Sequence, residues 1–268
     1  MLSNITIGQF FPTGSIIHRL DPSVKLVLTL VLIVSVFIAS APATLGLCLV
    51  VTFALMCISK IRITTYLKML KAVLPIIILT AILNALYAEG TVLFQWWIFK
   101  VTDQGIERAV FIAVRICLLV MISSLLTYTT SPTELTDGIE RLLKPLRFIG
   151  LGEAVHILAM MTSIALRFIP ILIEETDKIM SAQKARGADM ESGNLLQRIK
   201  AMMPVLIPLL ISATRRAIDL AEAMECRCYH GGAGRTKMKQ SHAGLRDVVA
   251  ILIIGCIFAA TIVGRVML

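Results

Sequence analysis

No charged residue occurs between Leu26 and Ser59. A helix crosses the bilayer core with about 20 apolar residues. This stretch is therefore too long for one upright span. Ser40-Ala41-Pro42 falls near its middle. The stretch reads as two short spans, 25–40 and 42–59, joined by a tight turn at the proline. One long tilted helix is the alternative. Composition supports a chain with several spans: 57% of its 268 residues are hydrophobic and 16% are charged, against about 25% charged in a soluble domain.

The net charge of +9 is concentrated where a membrane protein carries it. Lys60, Arg62, Lys68 and Lys71 follow the second span with no acid among them, which marks a cytoplasmic loop. A third span is expected at 72–88, with Pro75 near its start, and a fourth at 107–128. Trp96 and Trp97, between Glu89 and Arg108, suit the outer membrane–water interface. Arg115 lies inside the fourth span. It either snorkels outward or meets a partner on another helix. The final span is expected at 247–264, after a basic cluster of Arg235, Lys237, Lys239 and Arg246. Starting inside, five spans place 60–71 and 129–246 in the cytoplasm.

The expected fold is therefore all-α and polytopic, with about five spans and a cytoplasmic region of long amphipathic helices. Three parts are expected: 1–130 as an N-terminal membrane domain, 131–246 as the cytoplasmic domain, and 247–268 as a C-terminal span. Ser131-Pro132-Thr133-Glu134 carries the signature of a capping box. It opens a helix with Leu135, Ile139, Leu142, Leu143 and Leu146 on one face, which is expected to lie along the membrane surface. Gly150 and Gly152 break it.

A second stretch, 153–185, starts apolar, contains Arg167 and Pro170, and turns polar at Glu174 and Glu175. It reaches Gln183, then Ala185-Arg186-Gly187. A third, 195–229, carries Pro204 and Pro208 and an i,i+4 pair, Arg215 and Asp219. It reaches Glu225, then Cys226-Arg227-Cys228, and is expected to stop at Gly231-Gly232. Two helical stretches thus end on an arginine. A guanidinium can bind a carboxylate with two hydrogen bonds. An arginine at a helix C-terminus also simply satisfies the end carbonyls.

Several chemistries lack their residues. There is no P-loop, no HExxH and no nucleophile motif to accompany His18. Cys226 and Cys228 point to different faces of a helix, and no paired CxxC supports a metal site. Cys48, Cys57, Cys117 and Cys256 lie in apolar runs. Basic, aromatic-interleaved strands that bind nucleic acid are absent. Residues 1–13 show no basic-then-apolar pattern, so no cleavable signal peptide is expected. Matched broken helices in two halves, usual in a self-contained carrier, are not visible. A stand-alone carrier, a scaffold and an intramembrane enzyme remain rival classes.

The chain resembles the transmembrane T component of energy-coupling factor (ECF) transporters over most of its length. His18-Arg19-Leu20-Asp21-Pro22-Ser23-Val24-Lys25-Leu26 is similar to the family segment HxLDPRxKL, with Ser23 in place of Arg. Leu166-Arg167-Phe168-Ile169-Pro170 with Glu174-Glu175 resembles LRFIP…EE. Ala182-Gln183-Lys184-Ala185-Arg186-Gly187 resembles AQxARG. Ala223-Met224-Glu225-Cys226-Arg227-Cys228-Tyr229 resembles AMEARGY, with Cys226 and Cys228 where Ala and Gly are usual. Gly232-Ala233-Gly234-Arg235-Thr236-Lys237 resembles the GGxGRTK tail.

The resemblance implies a non-catalytic coupling subunit in a bacterial plasma membrane. Its partners would be two ABC-type ATPase subunits, which hold the ATP and Mg, and a membrane-embedded S component that binds a vitamin or micronutrient. Ala185, Arg186, Gly187, Cys226, Arg227 and Cys228 would dock the ATPases. Arg167, Pro170, Glu174, Glu175, Gln183 and Glu225 would support the coupling helices.

Overall fold

The computed structural model describes residues 10–87, 92–96, 99–150, 152–188, 194–231 and 244–267. Its helices are α1 (Pro22–Ile38), α2 (Pro42–Ser59), α3 (Ile63–Tyr87), α4 (Asp103–Thr129), α5 (Pro132–Leu143), α6 (Gly152–Ala185), α7 (Leu195–Cys226) and α8 (Leu245–Met267). The all-α class holds, with one addition. Strands β1 (Val92–Trp96) and β2 (Phe99–Thr102) form an antiparallel hairpin between α3 and α4. Glu89, Trp97, Gly232, Ala233, Gly234, Arg235, Thr236, Lys237 and Lys239 lie outside the described residues. The chain divides into two compact units, Gly8–Gly138 with Lys239–Leu268, and Met1–Ile7 with Ile139–Met238.

The first unit contains α1–α4, α8 and the hairpin. Pro42 cannot donate to the carbonyl of Ile38, so the helix breaks there. Two helices form there, α1 and α2, and not the single long helix of the alternative; the first ends at Ile38 and is shorter than the roughly 20 residues of an upright span. Arg115 occupies that break. Its Nη2 donates to the carbonyl of Ala39, the C-cap of α1, and its guanidinium lies 4.8 Å from the Phe111 ring centre. The charge inside the fourth span thus has a structural partner. Leu32, Val36, Cys48, Leu118 and Ile122 form the main apolar core around it.

The start of α3 corrects the sequence reading. The helix begins at Ile63 rather than near 72, so Lys68 and Lys71 are helical and not in a loop. Nothing between Ile63 and Leu74 breaks a helix; the charges mark only where its solvated end lies. Pro75 sits inside it.

The segment Leu20–Lys25 fastens three helix ends. Asp21 caps α1 by accepting from the Ser23 N–H at 2.9 Å. Its own N–H donates to Asp247 at 2.9 Å, and Asp247 also accepts from Gly244 N–H at 2.7 Å, at the start of α8. Buried Lys25 donates to the carbonyls of His18 and Thr129, each at 3.1 Å. Thr129 ends α4, where a cation offsets the helix dipole. The capping box at Ser131 also forms: Glu134 N–H donates to Ser131 Oγ, and Ser131 N–H to Glu134 Oε2, both at 3.3 Å. Pro145 then ends α5 at Leu143, earlier than the apolar face that included Leu146; residues Lys144–Ile149 form a 3-10 turn.

The second unit is built on α6 and α7. Each continues as one helix past its prolines, Pro170 in α6 and Pro204 and Pro208 in α7. No residue of α6 is buried. Among the described residues six helices are long and apolar enough to cross a membrane, namely α2, α3, α4, α6, α7 and α8, with α1 a shorter apolar helix. Length and composition therefore admit α6 and α7, which the sequence reading assigned to the cytoplasmic side.

Candidate functional site

Arg186 and Arg227 occupy the same position in two copies of one local structure. At the end of α6, Gly187 N–H donates to the carbonyl of Lys184 and Ala188 N–H to that of Gln183, both at 3.0 Å. At the end of α7, Cys228 N–H donates to Glu225 at 2.9 Å and Tyr229 N–H to Met224 at 3.1 Å. Each pair is a Schellman closure. It puts Arg186 and Arg227 at the C-cap, with the next residue left-handed: Gly187 at φ 84° and Cys228 at φ 54°. Both arginines and their flanking Ala185, Gly187, Cys226 and Cys228 are exposed.

This corrects the expected end of the second helix. It stops at Cys226 rather than at Gly231-Gly232. Cys228 takes the backbone conformation that Gly187 takes in the other copy, although left-handed backbone costs a side-chain-bearing residue about 1–2 kcal/mol. Replacement of the usual Gly leaves the closure unchanged.

The two helices are joined by polar contacts that the sequence did not announce. Ser212 Oγ donates to Glu175 Oε1, and Arg216 Nη2 donates to Glu175 Oε2 at 3.0 Å. Eight positions along α6, Gln183 Nε2 donates to the carbonyl of Pro204 at 3.4 Å. Pro208 has no N–H to give that carbonyl, so Gln183 replaces the missing intrahelical donor. The Pro204–Pro208 spacing was the one local signal for this. The expected Arg215–Asp219 pair is not an ion pair among the described residues; the adjacent Arg216 carries the interaction, across to α6. Arg167, Pro170, Glu174 and Glu225 stand exposed on their helices.

These contacts set α6 and α7 antiparallel. As positions rise from Glu175 to Gln183 on α6, their partners fall from Ser212 to Pro204 on α7. Arg186 is less than one turn beyond Gln183. Arg227 lies roughly 35 Å along α7 from Pro204, at 1.5 Å per residue. The two arginine tips are thus at opposite ends of the pair.

The family model CbiQ, cobalt transport protein, matches residues 13–238, which takes in both arginine tips and the Leu20–Lys25 segment. The chain belongs to the CbiQ family. Three relatives carry the name energy-coupling factor transporter transmembrane protein EcfT. That of Clostridium kluyveri is 47% identical over 99% of this chain and 98% of its own length. That of Acidaminococcus fermentans is 46% identical over 96% of each. That of Bacillus subtilis is 44% identical over 90% of each. This CbiQ-family chain is a multi-pass membrane protein of the transmembrane class of ECF transporters.

His18, weighed above as a base, belongs to the packing of the first unit. Ser15 Oγ lies 2.7 Å from its Nδ1, and its Nε2 lies 2.8 Å from the carbonyl of Phe11. The carbonyl partner assigns the proton to Nε2, leaving Nδ1 to accept from Ser15. Burial is the main cause that lowers the His18 pKa below its usual value. Among the described residues no group of three or more His, Cys, Asp or Glu is placed to hold a metal.

Proposed function

We propose that this chain is the coupling subunit of an ATP-driven ECF-type uptake transporter. It links two ABC-type ATPase subunits to a membrane-embedded S component that binds a vitamin or micronutrient. The chain itself is non-catalytic; ATP and Mg sit on the ATPase partners. The observation that carries this reading is the pair of exposed C-cap arginines held by equivalent closures at opposite ends of antiparallel helices. Two equivalent cationic tips at opposite ends of a helix pair suit two copies of one kind of partner better than one small-molecule site. Each guanidinium would meet acidic groups of an ATPase groove. Closure of the ATPase pair on ATP would move both tips, and α6 and α7 would pass the motion to the S component.

The test is co-purification of this chain with ATPase subunits in mild detergent. Arg186→Glu and Arg227→Glu should each weaken the complex, since losing one side of a buried charge pair costs roughly 2–5 kcal/mol. The double reversal should abolish it. Retention of the complex and of uptake in the double reversal would exclude docking through these residues and return a stand-alone carrier to the front.

A further inference from the structure

We propose that Glu175 is the positioning residue that makes the two arginine tips one bivalent site. Its carboxylate clasps α7 and thereby sets the direction and reach of both tips together. This rests on the coupling role proposed above and names the group that links the two docking events.

The clasp is a two-point contact. Glu175 Oε1 accepts from Ser212 Oγ, and Oε2 accepts from Arg216 Nη2 at 3.0 Å. Ser212 and Arg216 stand one turn apart on α7, on the same side of the helix. One carboxylate thus grips two points along α7 and opposes both sliding and rotation. The Arg216 and Glu175 side chains are 40% and 21% exposed, and an ion pair that wet adds little to stability. Its importance lies in the geometry it selects.

That geometry is symmetrical about the clasp. Arg186 lies eleven residues beyond Glu175 on α6, and Arg227 lies eleven residues beyond Arg216 on α7. Each arm is therefore about 16 Å long at 1.5 Å per residue. The helices are antiparallel, so the arms leave the clasp in opposite directions. Neither arm contains a proline: Pro170 precedes Glu175, and Pro204 and Pro208 precede Ser212. Each arm keeps all its backbone donors and is stiff, and each ends in the closure that fixes its arginine. A carboxylate at the common root of two stiff arms governs where both guanidiniums go. Glu174 and Arg215, next to the clasp pair in sequence, stand exposed instead.

Bivalence has a measurable signature. Once one tip has docked, the second docks intramolecularly, at an effective concentration set by how well the linkage holds it in place. Loosening the linkage lowers that concentration and leaves the affinity of each separate tip intact.

The test measures the dissociation constant of the full chain, in nanodiscs, for the assembled ATPase pair that co-purifies with it. Glu175→Gln keeps the shape of the side chain and removes its charge. With both tips present it should weaken binding about tenfold or more. In the single-tip backgrounds, Arg186→Glu and Arg227→Glu, it should change binding less than about twofold. Arg216→Gln should give the same pattern, and Glu175→Gln/Arg216→Gln should be no weaker than either alone, because both remove one contact. Arg215→Gln, which removes the neighbouring cation, should leave binding unchanged. Equal losses in the two-tip and single-tip chains would overturn the proposal, since the clasp would then only support the folding of each tip. So would an unchanged dissociation constant in Glu175→Gln, or a loss in Arg215→Gln as large as that in Arg216→Gln. Binding that ignores both Arg186→Glu and Arg227→Glu would instead overturn the coupling reading on which the proposal rests.

Discussion

Gln183 donates from α6 to the carbonyl of Pro204 on α7, the one carbonyl that Pro208 leaves without its intrahelical donor. The contact repairs a local defect and fixes the crossing of two helices at once. Gln183→Ala should loosen that crossing by about 1 kcal/mol, the usual net worth of such a bond. Pro208→Ala restores the missing N–H, so Gln183→Ala should cost less in that background. A double-mutant cycle on thermal unfolding in detergent measures the coupling; strict additivity would show that the contact contributes nothing.

The two helix ends should respond in opposite directions to a change at the residue after the arginine. Cys228→Gly relieves left-handed strain and should stabilise the end of α7 by about 0.5–1 kcal/mol, net of glycine's greater freedom in the unfolded chain. Gly187→Ala introduces that strain and should destabilise the end of α6 by about 1 kcal/mol. No atom lies within 4 Å of where the Gly187 methyl would sit, so backbone conformation alone sets that cost. Amide exchange of residues 187–188 and 228–229 is the direct measurement.

In the first unit, Gly264 sets the approach of α8 to α2. A methyl group there would fall 2.5 Å from Thr44 Cγ2. Gly264→Ala should therefore destabilise by about 1–3 kcal/mol, the cost of overpacking. Thr44→Ser removes the obstructing methyl and keeps the hydroxyl that donates to the Ala41 carbonyl at 2.8 Å. The double variant should recover most of the lost melting temperature; failure to recover would place the strain elsewhere.

His18 should make the first unit sensitive to acid. Its folded pKa lies below the usual 6.5, chiefly through burial. Above 6.5 both folded and unfolded states hold it neutral, and its contribution is fully present. As pH falls below 6.5 the unfolded chain binds the proton first, so stability declines until the lower folded pKa is passed. Thermal unfolding across pH 8 to 5 should show this slope, and His18→Gln should flatten it. An unchanged slope in the variant would assign the titration to another group.

Local chemistry made much of this protein legible in its sequence. The charge-free run from Leu26 to Ser59, the break at Pro42, the capping box at Ser131 and the two arginine-ended helices all rest on residues within a turn or two of one another. Helix breaking, capping and burial in lipid act at that range, so sequence alone determined the class of fold and the position of both tips. Tertiary structure decided the rest. Arg115 found its partner at Ala39, Lys25 at Thr129, and Glu175 at Ser212 and Arg216, each across a long interval of chain. A buried cation or a freed carbonyl must be satisfied by whatever donor or acceptor packing brings near, and periodicity does not say which helices meet. The same limit hid the antiparallel setting of α6 and α7, which holds the arginine tips apart.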